Sequence, residues 1–281
     1  MTINHYAPSE FSPRLDNVAK LLWVMEQLRD PEHGCPWDKQ QTFESIVPFT
    51  IEEAYEVADA IEHGTMQDVQ EELGDLLFQV VFYAQFGKED KLFEFDDVAK
   101  LMVEKLIRRH PHVFTQLEVK STEVVKENWE QIKRQERQVK AAQQGKADDT
   151  SILANIPAGM APLTKAQKIQ KRCAKVGFDW PNIEPVAEKV SEELHEVMQE
   201  LQQETIQQEA LAEEIGDLLF AVVNLARHVN VDAETALRKA NHKFEQRFRG
   251  VEQKLQAKPL AEFSLQEMEQ AWQAVKQEEC E

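Results

Sequence analysis

Glycine and proline are scarce in this chain of 281 residues, at 9 and 11. With so few breakers, and with Glu, Gln, Ala, Leu and Lys abundant, the composition leaves little room for a turn-rich architecture and predicts a nearly all-α protein. Cysteine is scarcer still. Cys35, Cys173 and Cys280 are odd in number and form no C-x-x-C pair, so they read as structural thiols rather than a disulfide framework. No signal peptide is evident and no apolar run approaches 18 residues, so a reduced, soluble, cytoplasmic protein without a membrane span is expected. Positive charge is also short: 32 Lys and Arg stand against 51 Asp and Glu, a formal net charge of -19. That balance argues against electrostatic binding to a nucleic-acid backbone, and an anionic small molecule would need cations supplied locally.

What the chain does have, it has twice. The stretch Glu71–Val81, EELGDLLFQVV, recurs as Glu213–Val223, EEIGDLLFAVV, with nine of eleven positions identical. A recurrence at about 140 residues predicts a duplicated unit. Both copies read as helix, because Leu211, Ile215, Leu218 and Val222 recur at i, i+4, i+7 and i+11 as one apolar stripe. Glu214 and Asp217, three apart, place their carboxylates one turn apart on a neighbouring face. Glycine inside a helix costs roughly 1 kcal/mol against alanine. Gly74 and Gly216, between the acids, therefore predict something packed close to the backbone there.

In order, Leu15–Leu28 reads as an amphipathic helix ending at Asp30-Pro31, followed by the turn-rich GCPWDKQQT (Gly34–Thr42). Trp37 in that turn reads as a core anchor, with a lid over a ligand as the alternative. A helix expected from near Pro48 carries Glu52, Glu53 and Glu56, EExxE, and His63-Gly64-Thr65 breaks it. The Glu71–Val81 helix follows, running on to about Phe86. A short turn makes the two antiparallel neighbours, so Glu53/Glu56 and Glu72/Asp75 can face one another. Asp96–Arg109 carries Lys105 and Arg109 at i, i+4, and Lys126–Glu136 closes the unit with Trp129, Ile132, Lys133 and Glu136, W-x-x-I-K-x-x-E. The polar Val139–Thr150 reads as linker, and the proline-containing Ile156–Leu163 as entry to a second unit. The expected division is a loose N-terminus at 1–14, a first repeat at 15–138, a linker at 139–162 and a second repeat at 163–281.

The second unit replays the first. Lys165–Lys175 is a basic amphipathic helix, and GFDWPN (Gly177–Asn182) takes the place of the CPWD turn. Glu192, Glu193 and Glu196 restore EExxE, and Glu213, Glu214 and Asp217 restore EExxD. Lys243 and Arg247 restore K-x-x-x-R, and Trp272, Val275, Lys276 and Glu279 restore the closing block. Helical composition alone does not reproduce four blocks in one order.

Four bare carboxylates in one place repel, at roughly 4 kcal/mol per pair for charges ~4 Å apart in an effective dielectric of about 20. Such a cluster takes up protons or cations. Oxygen-only donors select hard ions, Mg²⁺ first, then Mn²⁺. Bound Mg²⁺ inverts the local sign and lets an acidic protein hold a triphosphate. The K-x-x-x-R face suits the remaining phosphate oxygens, or else only complements a helix dipole. Trp272 is a base platform or a core residue. Phosphoryl transfer needs little beyond positioning and charge stabilisation, with Glu192 or Glu213 placed to orient an attacking water. The histidines His63, His110, His112, His195 and His228 share no metal-type spacing between units and are read as non-ligands.

With these blocks laid out, the chain resembles the MazG family of nucleoside triphosphate pyrophosphohydrolases, within the all-α NTP pyrophosphatase superfamily. The match runs from about Leu15 to Trp272. It rests on GCPWDKQQT, EEAYEVADAI, EELGDLLFQVV and LIRRHPHVF in the first repeat, and on KVGFDWPN, SEELHEV, EEIGDLLFAVV and NHKFEQRF in the second. The resemblance implies two tandem helical-bundle repeats and Mg²⁺-dependent hydrolysis of NTPs and dNTPs to the monophosphate and pyrophosphate. Base specificity would be broad and the role nucleotide-pool housekeeping. It implies metal ligands at Glu193, Glu196, Glu214 and Asp217, with a second possible set at Glu53, Glu56, Glu72 and Asp75. Phosphate contacts would come from Lys243 and Arg247, with Lys168, Arg172 and Lys189 as helpers. Family relatives are dimers, so a homodimer is implied. Lys168, Lys171, Arg172 and Lys175 precede the second set of acids, and Asn224 and Asn241 stand where the first repeat has Phe82 and Val103. These differences favour the second repeat as the main site, leaving the first weak, regulatory or structural. The alternatives are a di-iron carboxylate oxidase, which lacks its Glu-x-x-His here, and a non-enzymatic acidic scaffold that dimerises or binds a partner.

Overall fold

A computed structural model describes residues 16–114, 132, 136, 151–256 and 258–279. The expected loose end Met1–Phe11, the linker Val139–Thr150, Cys280, and Trp129 and Lys133 of the first closing block lie outside the described residues. The described residues form ten α-helices and no strand. The chain divides into two compact units, Met1–Val139 and Lys140–Glu281.

The first unit contains α1 (Asn17–Leu28), α2 (Phe43–His63), α3 (Met66–Glu89), α4 (Phe95–Arg109) and the single turn α5 (Pro111–Phe114). Asp16 caps α1 by accepting the Ala19 N–H at 2.8 Å. The helix carrying EExxE starts five residues before the expected Pro48. Thr42 and Ser45 form a capping box at the helix start: the Thr42 N–H donates to Ser45 Oγ at 2.8 Å and the Ser45 N–H to Thr42 Oγ1 at 3.3 Å. Pro48 sits inside α2 and forfeits its own backbone bond without ending the helix. A second capping box, Thr65 with Asp68, starts α3 directly after Gly64 ends α2, so the chain reverses within two residues.

α3 is the unit's spine, with α1, α2 and α4 packed against it. Its buried Val81, Phe82 and Phe86 meet Met25 of α1 and Ile46 of α2. Phe43 stacks on Tyr83 at 5.9 Å, and the Thr50 and Tyr83 hydroxyls share a hydrogen bond at 2.9 Å. The helix runs past the expected Phe86 to Glu89, where Lys91 at φ 58° turns the chain. The Leu92 N–H donates to Gly87 O at 2.8 Å, and the Lys91 N–H to Lys88 O at 3.1 Å, a Schellman ending.

The second unit contains α6 (Pro162–Ala174), α7 (Glu184–Leu201), α8 (Gln208–His228), α9 (Ala233–Lys254) and α10 (Leu265–Glu278). α7 and α8 form the counterpart hairpin, and α6 and α9 pack on α8. α8 ends as α3 does: Asn230 sits at φ 56°, the Val231 N–H donates to Ala226 O, and the Asn230 N–H to Arg227 O. α10 closes the unit against α9 through Val251, Ala271 and Val275. No described helix is long and apolar enough to cross a membrane.

Candidate metal and phosphate site

Each hairpin brings its two acidic blocks face to face. In the second unit, one carboxylate oxygen from each of Glu193, Glu196 and Glu214 lies within 4.8 Å of the others. In the first, Glu53, Glu72 and Asp75 meet the same test. The i, i+3 spacing puts two acids of one block on one face, and the tight reversal sets the other block opposite. Both clusters consist of carboxylates alone.

The electrostatics are those of like charges crowded together. Partial removal from water raises the pKa of Glu214, and the charges of Glu196, Asp217, Glu193 and Glu213 raise it further. Burial likewise raises Glu53, with Glu56 and then Asp75 adding to it, against a lowering from the Gln79 amide. Desolvation raises Glu72, followed by the charges of Glu56, Asp75, Glu71 and Asp68. Six of the eight predicted ligands thus meet in the two clusters, while Glu56 and Asp217 act on them as neighbouring charges. Such a donor set fits a hard divalent cation, which would relieve the repulsion and leave no nitrogen or sulfur idle.

The two clusters are braced differently. In the second, Lys189, one turn ahead of Glu193 on α7, sets its Nζ 2.7 Å from a Glu193 oxygen and 3.0 Å from one of Glu192. Glu193 first and Glu192 second hold the lysine pKa above its ordinary range. Glu193 is buried, whereas Glu192 is exposed. The first unit has Phe49 at the Lys189 position, and there the Gln79 amide donates to Glu53 at 3.2 Å. The second unit has Ala221 in place of Gln79.

The basic residues divide. Lys243 and Asn241 lie exposed on α9, and Lys168 is half-buried on α6. Arg172 is turned to structural use, donating to Ile152 O at 3.0 Å and Ala154 O at 2.5 Å. Arg247 donates from Nε and Nη2 to Glu279 at 2.9 and 2.7 Å, with its guanidinium 5.9 Å from the Trp272 ring. Arg109 makes the matching pair with Glu136 in the first unit, at 3.2 and 2.5 Å. So the repeated K-x-x-x-R and W-x-x-[IV]-K-x-x-E blocks meet in space. Sequence reading found both blocks without pairing them, although their joint recurrence was the available signal. Trp272 is half-buried beside the Val251 cluster and 5.1 Å from Phe244, which joins it to the packing of α9 and α10.

Several readings need correction. Nothing comes within 4 Å of a Cβ built on Gly74 or Gly216, so no described atom packs on the backbone there. Both glycines lie on the outward side of their hairpins. Trp37 is 50% exposed, in an edge-on contact with Phe49 whose ring centroids are 5.8 Å apart, so it is not a core anchor. The turn is held by its backbone, since Arg29 Nη1 donates to Asp38 O at 2.5 Å. Asn224 is buried and accepts from Arg227 at 2.9 and 2.7 Å rather than facing an open polyanion site. Arg227 in turn clasps Asp179 of the GFDWPN turn at 2.8 and 2.5 Å and holds that carboxyl below its usual range. Sequence reading missed this clamp because its two ends lie far apart along the chain.

Fold and clusters together define a class: a tandem all-α protein with a hard-cation-type carboxylate cluster in each helical hairpin. The family model described as the MazG nucleotide pyrophosphohydrolase domain matches twice, at residues 41–114 and 182–251. A nucleoside triphosphate pyrophosphohydrolase of Escherichia coli (strain K12) is 51% identical over 267 residues, covering 94% of this chain and 99% of the relative. The nucleoside triphosphate pyrophosphohydrolase/pyrophosphatase MazG of Thermotoga maritima is 41% identical over 259 residues, covering 92% and 94%. A Mycobacterium tuberculosis nucleoside triphosphate pyrophosphohydrolase is 33% identical over 59% of this chain and 48% of its own length. The chain belongs to the MazG family.

Proposed function

We propose that this protein hydrolyses nucleoside and deoxynucleoside triphosphates to the monophosphate and pyrophosphate with Mg²⁺, Mn²⁺ serving as substitute. Broad base specificity, a cytoplasmic housekeeping role on nucleotide pools and a homodimeric assembly belong to the same reading. The observation that carries it is the meeting of Glu193, Glu196 and Glu214 within 4.8 Å across the α7–α8 hairpin of a MazG family chain.

Glu193, Glu196, Glu214 and Asp217 would hold the cation, which supplies positive charge to phosphate oxygens in a chain of net charge -19. Lys243 on α9 is exposed and able to meet an oxygen the cation does not cover. Arg247 is oriented by Glu279 and Trp272, which fixes the direction of its donors. Glu192 and Glu213, exposed beside the cluster, accept a proton from or align the attacking water. The second unit is favoured as the main site because its cluster carries Lys189 and lies in the unit with Lys243. A homodimer is supported by apolar side chains on the hairpin's outer surface: Ile215, Leu219 and Val222 are 43%, 53% and 44% exposed.

Product analysis with a panel of NTPs and dNTPs tests the reading, comparing wild type with Glu53→Ala and Glu193→Ala. Monophosphate and pyrophosphate lost only in Glu193→Ala are expected. Orthophosphate as product, or turnover without a divalent cation, would sink it. Full activity in Glu193→Ala with loss in Glu53→Ala would move the chemistry to the first unit.

A further inference from the structure

Lys189 gives the second cluster something the first does not have. Its ammonium group bridges Glu192 and Glu193 at 3.0 and 2.7 Å, and so engages an oxygen of a carboxylate that the proposed cation also needs. The Glu193 side chain is only 7% exposed, so water cannot compensate its charge well and a cationic partner is required. Lys189 is itself 36% exposed, on a flexible four-carbon stem that can carry its ammonium group toward water. A divalent ion and an ammonium group on one carboxylate repel one another. In the first unit the corresponding Phe49 brings no charge, and Glu53 has a neutral amide, Gln79, in its place.

We propose that Lys189 is an exchangeable counter-ion of the second cluster: it neutralises Glu193 until a divalent cation binds, and the cation displaces it. The displaced Nζ would then be released to meet an oxygen of the incoming triphosphate. Cation binding and lysine release are thereby coupled, so phosphate is engaged only where the cation is present. This rests on the metal reading given above, and adds to it the identity of the group the metal competes with.

The test is calorimetric titration of Mn²⁺ without nucleotide, in full-length protein carrying Glu72→Gln and Asp75→Asn to silence the first cluster. Lys189→Met should bind Mn²⁺ roughly tenfold more tightly than its parent, since removing a unit charge a few ångströms away relieves the competition. Its melting temperature in chelator should fall below the parent's, while Lys189→Arg should keep the parent's affinity. Lys189→Gln serves as a second neutral variant, with circular dichroism confirming the fold. Unchanged or weaker Mn²⁺ binding in both neutral variants would overturn the proposal and make Lys189 a prop for the ligand set. Equal tightening in Lys189→Arg would overturn it too, because charge would not be the cause. A parent that binds no Mn²⁺ would remove the metal reading itself, and this proposal with it.

Discussion

Glu53, Glu72 and Glu214 share a cost that no other described side chain carries so plainly: each is a carboxylate held near others, with its pKa raised by desolvation and like charge. A raised acid favours the folded state fully below its ordinary pKa, and that advantage is lost as pH rises through the folded value. Without metal, these clusters therefore pull stability down toward neutral pH. Asp179, Glu89, Glu136 and Glu279 act in the opposite sense, because Arg227, Arg29, Arg109 and Arg247 respectively lower their pKa values. Their contribution is present above the ordinary carboxylate range and lost on acidification. For Glu53→Gln combined with Glu214→Gln, thermal melts in EDTA should show a higher melting temperature than wild type at about pH 7.5 and no difference below about pH 4. A gain that persists into acid would mean that charge repulsion is not its source. Adding Mg²⁺ should raise wild type and leave the double variant where it is.

At the scale of elements, the glycines separate contact from composition. A Cβ on Gly87 of α3 would lie 2.7 to 2.8 Å from three ring carbons of Phe93, so the chain after α3 folds back over a residue that must stay small. Gly87→Ala should cost roughly 1–3 kcal/mol in urea unfolding, the usual range for an overpacked contact. Gly216 of α8 meets nothing within 4 Å. Gly216→Ala should gain about 1 kcal/mol, because the glycine penalty inside a helix disappears and no described atom is touched. A loss that deepens with protein concentration would instead put the backbone of a second subunit against that face. The helix starts follow the same logic. Thr42 with Ser45 and Thr65 with Asp68 set where α2 and α3 begin, and that phase decides which acids face each other.

For the whole molecule, the outer surface of the α7–α8 hairpin is the main unsettled account. Leu194, Met198 and Leu201 recur on α7 as Ile215, Leu219 and Val222 do on α8, and all six are exposed. Burial of such side chains stabilises association by roughly 25 cal/mol per Å² of apolar surface. Sedimentation should therefore give a dimer for wild type and a shift toward monomer for Leu219→Lys. A wild type that stays monomeric at high concentration would leave the acid clusters as complete sites within one chain.

The duplication, the all-α class, the helix pairs and the facing of two acidic blocks in each repeat were legible in the chain itself. The reason is physical: helical period and short reversals are local, and they alone bring i, i+3 acids on two neighbouring helices together. The Thr42/Ser45 capping box is equally local, and it starts α2 ahead of Pro48, which the helix holds in its interior. What the tertiary structure decided was which charges meet across the fold. Arg247 found Glu279, Arg227 found Asp179 and Asn224, and Lys189 found Glu193. It also left Gly74 and Gly216 open and placed Trp37 outside the core. Periodicity states which face a residue occupies, but partner choice between cations and acids depends on distance and burial, and only the packed helices set those.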